Sequence, residues 1–418
     1  MRLAVYSLNY WPEPTGIPYY NTGMCRWLAQ RLGWQVSIST GLPHYPWWEV
    51  PAEYVARDYR NGRGDQHIDG VRIARVRHYV PAPPPSGAGR VRLDLSWLLA
   101  TLWRGADQRH RPQAVVVVAP PFLVGLLGLW LARRWRVPVI YHVQDLQIEA
   151  ALELGMLPRA LTTVLLAAER FILRRVDLVT TISPAMQAAI TAKTATRRPV
   201  AMFPNWANTT TMRPWIGANR FRAAWSLPDD GQVVVYSGNI GRKQGLEILI
   251  RAAAKLPSRV RVVIAGSGSE RGELERLAAA EAPGRVLFQD LVAAADLPEF
   301  LSAADVHVIV QRGSVAGAVM PSKLINIMAV ARPVVVTAIP DSDLAQAVER
   351  AGCGLVVAPE NPAALAEGLT QALADPAMCA RRGAAGHAWV TSELGANRIL
   401  ARFAARLVSM SQGQRRKR

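Results

Sequence analysis

Two doubly wound α/β domains are what this sequence predicts, and three observations predict them. The chain has 418 residues, too many for one ordinary hydrophobic core and enough for two. Short β-branched runs alternate with amphipathic helical patterns along its whole length. Most of the runs are continuously apolar and do not alternate, as expected of parallel strands covered by helices on both faces.

In the first domain the predicted strands are Leu3 to Ser7, Gln35 to Thr40, Val71 to Arg75, Ala114 to Val118, Val137 to His142, Leu178 to Ile182 and Val200 to Phe203. In the second they are Val233 to Ser237, Arg261 to Ala265, Val286 to Gln289, Val306 to Val310, Val334 to Thr337 and Gly354 to Val357. Helices fall between them, for example Gly245 to Lys255 and Gly272 to Ala280. The boundary falls near Asn205 to Leu227, where NWANTTTMRPW carries turn residues and Pro214 and Pro228 interrupt helix. Two proline-rich loops, Gly41 to Pro51 and Val80 to Gly89, hang off the first domain. Ligands bind beyond strand ends in open α/β sheets, which makes His44 and Tyr45 candidate contacts, with plain packing as the alternative.

The stretch Gly313 to Pro333, GSVAGAVMPSKLINIMAVARP, has the layout of a diphosphate site. A glycine-bearing loop leaves a strand, Pro321 suits the first helical position, and free N–H groups with Ser322 and Lys323 face phosphate oxygens. A tight strand-to-helix turn with no ligand is the bland reading of the same residues. Two further glycine loops follow strands of the second domain. In one, Gly238, Gly241 and Gly245 surround Arg242 and Lys243; in the other, Gly266, Ser267 and Gly268 follow an apolar run. Three such loops at one sheet edge are more specific than any one of them. In the first domain Gly16 lies in a loop opening a helix, without the three-glycine dinucleotide fingerprint. His142 ends a strand with Asp145 three residues on, a pair suited to a base or a substrate ligand. Asp341 and Asp343 form the one Asp-x-Asp, on a polar loop; we expect no metal there and no cofactor elsewhere.

The formal charge is +18, which calls for anionic company. Arginine is scattered along helices, with no zinc-finger or basic-zipper pattern, so a membrane surface fits better than nucleic acid. No segment spans a bilayer: Ala114 to Leu131 is interrupted by Pro120 and Pro121 and reads as a strand and a helix. Met1 to Asn9 reads as a strand and not a signal peptide, and Cys25, Cys353 and Cys379 lie in no metal-ligand spacing. A reduced, cytosolic setting is the expectation.

Taken together, NYWPEPTGIPYY, TGLPHYPWW, YHVQDLQIEAALELG, SGNIGRKQGLE and MPSKLINIMA resemble the retaining family-4 glycosyltransferases of GT-B architecture. Within that family the chain is similar to the fucosyltransferase type of colanic acid and exopolysaccharide assembly. The resemblance spans essentially the whole chain. It implies two Rossmann-like domains facing a central cleft: residues 1–205 for the acceptor and residues 206–384 for the nucleotide-sugar, with a terminal helix, 385–418, packed back on the first. It implies metal-independent transfer to a lipid-linked saccharide at the cytoplasmic membrane face. A sugar-nucleotide epimerase of the same architecture is the alternative. By the same resemblance Gly16, Gly238, Arg242, Lys243, Gly317, Ser322 and Lys323 face the donor diphosphate, Gly266, Gly268 and Gln289 the base, and His142 the sugar and acceptor. The family's two glutamates, separated by seven residues, correspond here to Ala318 and Asn326, and Asn326 keeps a hydrogen bond for a ribose hydroxyl. The usual arginine and lysine of the first cationic loop fall near Asn239 and Gln244, so Arg242 and Lys243 substitute by position.

Overall fold

Runs of valine and isoleucine with no polar face can be stable only as interior strands, and that is where they lie. The computed structural model describes the chain apart from residues 15, 60–62, 84, 106–110, 150–158, 195–199, 228–229, 314–321 and 417–418. It divides into two units, Met1–Pro204 with Leu400–Arg418, and Asn205–Ile399.

The first unit is built from β1 (Arg2–Tyr6), β2 (Gln35–Thr40), β3 (Gln66–Ile68), β4 (Val71–Arg75), β5 (Ala114–Ala119), β6 (Val139–Val143), β7 (Leu178–Thr181) and β8 (Val200–Met202). They form one sheet in the order β3-β4-β2-β1-β5-β6-β7-β8. Every pairing is parallel except β3 with β4. Of that hairpin β4 was expected and β3 was not. Its turn, Asp69-Gly70, has both residues at positive φ, 53° and 78°, the geometry that closes a two-residue hairpin. Strand β5 is buried along its whole length, and each fully buried valine contributes about 1.5–3 kcal/mol. The helix Val124–Trp135 packs closely on it: a Cβ on Gly128 would lie 2.9 Å from Val117, inside contact distance. The segment Ala114 to Leu131 is thus a strand followed by a helix. Among the described residues no helix is long and apolar enough to cross a membrane.

The second unit carries β9 (Gln232–Ser237), β10 (Val260–Ala265), β11 (Val286–Gln289), β12 (Val306–Ile309), β13 (Val334–Thr337) and β14 (Gly354–Val357). These pair in parallel as β11-β10-β9-β12-β13-β14. Side-chain caps start the helices that cover it: Asn219 accepts from two backbone N–H groups, as does Asn361, and Ser342 and Asp375 each accept from one. The expected helix Gly245 to Lys255 is shorter, Glu247–Ala253, because a 3-10 turn, Arg242–Gln244, precedes it. Cys25 and Cys353 are buried free thiols, pushed up to about 12 by burial; Cys379 is half-buried and raised for the same reason.

Candidate functional site

In the second sheet the strand order reverses between β9 and β12, the point where open α/β sheets take ligands at the carboxyl ends of their strands. Leaving β9, Gly238 has φ 141°, a region open in practice to glycine alone. Its missing side chain is replaced by Lys323, whose Cε and Nζ occupy the space a Cβ would need. Leaving β10, Gly266 has φ 143° and lies against the Gly238 carbonyl, while Gly268 lies against the Ile240 carbonyl, both too close for a Cβ. Backbone bonds lock the loops together. The Gly238 N–H donates to the Ala265 carbonyl at 2.9 Å, Ile240 to Ser267 at 2.9 Å, and Gly266 to Gln289 at 3.0 Å. Gly238, Gly266, Gly268 and Gln289, expected around the donor, therefore form one interlocked backbone layer.

Lys323 is the second residue of the helix Ser322–Ala329. Its ammonium donates to the Tyr236 hydroxyl at 2.8 Å and lies 4.2 Å from the centre of that ring. The Tyr236 hydroxyl donates in turn to the Asn239 carbonyl at 2.6 Å. Sequence reasoning missed Tyr236, which reads as one more aromatic in a strand. Among the described residues no carboxylate pairs with Lys323, and burial pushes its ammonium down to about 8. Lys323 and Asn326 line a cavity of about 50 Å³ with Ser237, Val308 and Ile327. It has room for water and not for a sugar.

Arg242 and Lys243 are exposed, and Arg242 lies 3.6 Å from Glu270. Asn239 and Gln244 face each other at 3.5 Å. A further cation not expected there, Arg312, donates to the Arg242 carbonyl at 2.9 Å and pairs with Glu247, holding the turn. Gly317 lies outside the described residues, as does the side chain of Ser322. Asp341 and Asp343 flank Ser342 at a helix start, and among the described residues no three potential ligands gather for a metal.

The first sheet reverses between β1 and β5, and polar side chains collect beyond it. Asn21 donates to Ser7 Oγ at 2.7 Å and accepts from Gln144 Nε2 at 3.3 Å. Gly16, φ 74°, caps the helix Ile17–Leu32 and is exposed, and apart from its chain neighbours no heavy atom of the described residues lies within 4 Å of where its Cβ would stand. His142, the last residue but one of β6, is buried: its Nδ1 is 3.0 Å from Thr180 Oγ1 and its ring 4.9 Å from that of Phe203. Burial pushes it down to about 3, so it is neutral at pH 7 and a weak base. Asp145 is exposed.

Glu13 was not legible in the sequence as a site residue. It is buried, and its carboxylate accepts from the backbone N–H groups of His44 and Tyr45, at 2.9 and 2.8 Å, and from Asn9 Nδ2 at 3.0 Å. Burial raises its pKa, while the nearby His44 and the donors pull it down. His44 is itself buried, with Nδ1 2.9 Å from the Leu42 carbonyl and 3.6 Å from Glu13. His44 is therefore an internal strut of the loop, whereas Tyr45 is 39% exposed. His78 faces His44 and is pushed down to about 4 by burial.

With this geometry in place, comparison with known proteins is specific. Residues 15–206 match the glycosyl transferase 4-like domain and residues 218–389 the glycosyl transferases group 1 family. The chain is 33% identical over 384 residues to the putative colanic acid biosynthesis glycosyl transferase WcaI of Escherichia coli K12, covering 90% of this chain and 93% of that one. Its fold is similar to sucrose-phosphate synthase from Thermosynechococcus elongatus, at a TM-score of 0.77 and 21% identity over 99% of each chain. It is also similar to Anabaena Alr3699/HepE in complex with UDP-glucose, at a TM-score of 0.69 and 16% identity, covering 98% of this chain and 100% of that one.

Proposed function

The chain belongs to the group 1, family-4-like glycosyltransferases, and from that premise we propose that it moves a hexose from a nucleotide-diphosphate sugar to a lipid-linked saccharide in exopolysaccharide assembly. One observation carries the donor half of this reading. At the switch point of the second sheet, two glycine loops interlock so tightly that their side-chain space is taken by backbone and by the ammonium of Lys323. A cation held there, with no carboxylate partner among the described residues, is suited to a leaving diphosphate, whose charge grows as the sugar–oxygen bond breaks. The resemblance of the fold to a UDP-glucose complex supports a nucleotide-sugar donor.

In this reading the acceptor side belongs to the first unit. The buried, neutral His142 serves as a hydrogen-bond partner for sugar or acceptor and not as the group that takes up a proton. Gly16 leaves open space at a helix start, Asp145 stands exposed three residues beyond His142, and Glu13 and His44 hold the loop that presents Tyr45. In this reading the transferred hexose is fucose and its configuration is retained. The comparisons lend no support to the epimerase alternative.

A thermal-shift panel of nucleoside diphosphates tests the donor reading. The product nucleotide at 100 times its dissociation constant should add about 2.7 kcal/mol of stability. A panel in which no nucleoside diphosphate moves the melting temperature would remove the site from consideration. We also expect transfer to continue in excess chelator, since fixed cations supply the charge in this reading. Loss of activity that manganese or magnesium restores would show that Asp341 and Asp343, or another pair, bind a metal in the reaction.

A further inference from the structure

Three helices of the first unit lie side by side over one face of its sheet: Gly87–Gly105, Val124–Trp135 and Arg159–Arg175. Each sends one stripe into the same core, Leu93 and Trp97 from the first, Leu127 and Leu131 from the second, Ile172 and Leu173 from the third. Such helices ordinarily turn a charged, mixed-sign face to water. These do not. The first exposes Val91, Leu95, Leu99, Leu102 and Trp103, with Leu99 61% and Trp103 90% exposed. The second exposes Leu126 and Trp130, and the third Val164 and Phe171.

The exposed charges on the same helices are of one sign. Arg90 and Arg92, Arg133 and Arg134, and Arg170, Arg174 and Arg175 are all exposed. The three helices contain two carboxylates, and neither offsets that charge at the surface. Asp94 is drawn in to accept from Gln147 at 2.9 Å, and Glu169 is 5% exposed and held by Lys193 at 2.8 Å. Apolar side chains set among cations, with the acids turned inward, match a surface that offers acyl chains beneath anionic headgroups. An aqueous anion has no use for the leucines and tryptophans, and nucleic acid has little.

We propose that the outer face of these three helices docks on the surface of an anionic phospholipid bilayer. The proposal rests on the reading of a lipid-linked acceptor for its purpose: a docked first unit works where such an acceptor is anchored.

The test is flotation of the full chain with vesicles of phosphatidylglycerol and phosphatidylcholine, compared with vesicles of phosphatidylcholine alone. The chain should float with the anionic vesicles at low salt. It should be largely released in 1 M salt, where screening shortens the reach of charge to about 3 Å. Leu99→Glu with Trp103→Glu should lower the floated fraction at least tenfold, and Arg133→Glu with Arg134→Glu should do the same. All four side chains point outward, so circular dichroism and melting temperature should match the parent. A parent that stays at the bottom of the gradient, or variants that float as well as it does, would overturn the proposal. A parent dimer that these substitutions break, without flotation, would assign the face to a second copy and equally overturn it. The nucleotide thermal shift is read on the same samples. Flotation without any nucleotide response would count against the transferase reading and leave the docking face standing; a nucleotide response without flotation would do the reverse.

Discussion

Lys323→Ala is expected to cut turnover by roughly 10² to 10³, the scale seen when a transition state is deprived of one charge-stabilising donor. Among the described residues the ammonium is the one cation seated inside the interlocked glycine loops, while Arg242 and Lys243 stand exposed at the rim. Alanine also removes the stem that packs against Gly238, so a fall in activity alone would not separate charge from shape. Lys323→Met keeps most of the volume and removes the charge, and should lose as much turnover with little change in folding. The pH profile offers a second readout. Burial pushes Lys323 down to about 8, so the charged form prevails below that pH and is lost above it. kcat/KM should therefore fall as pH rises through about 8, and Tyr236→Phe, which removes the hydroxyl that accepts from the ammonium, should move that fall to lower pH. Near-parental turnover in Lys323→Met would take Lys323 out of the reaction.

Gly266→Ala should be the most disruptive small substitution in the second unit. Its φ of 143° suits glycine alone, and an added methyl would collide with the Gly238 carbonyl, which is main chain and cannot rotate aside. Strain of about 1–3 kcal/mol from the dihedral and a similar amount from overpacking both apply. The expected loss is about 2–4 kcal/mol, which lowers the melting temperature by roughly 5–15 °C for a unit of this size. Nucleotide stabilisation should vanish with it, because the same layer is the proposed floor of the donor site. A variant within about 0.5 kcal/mol of the parent, the range of a neutral surface substitution, and still stabilised by nucleotide would show that the loops are loosely coupled.

Much of the fold was legible because parallel strands leave a coarse signal. A run such as Val115 to Val118 has no solvent face to encode, so it reads as a strand at any register. Strand β3, which makes a hairpin with the expected β4, was passed over even though Asp69-Gly70 is a strong local turn signal, because Gln66–Ile68 is only three residues long and not apolar throughout. At the site, the pattern of proline, serine and lysine before an apolar helix pointed to Lys323, since helix starts have a local grammar. Its burial was not legible, because Tyr236 and Gly238, which enclose it, are far away along the chain. Glu13 shows the same limit. Between two prolines it reads as a solvated loop residue, and only the folded chain brings the N–H groups of His44 and Tyr45 to its carboxylate.

The cysteines have a practical bearing on how the docking face can be observed. Thiol-directed labels react with thiolate, and Cys25 and Cys353 are both enclosed and held protonated at neutral pH, with Cys379 shifted in the same direction. A single cysteine introduced at an outward position such as Leu99 would therefore be far more reactive than the native three, and could carry a fluorescent or spin label. Immersion depth in a bilayer could then be followed residue by residue along the helix, without first stripping the protein of its own sulfur.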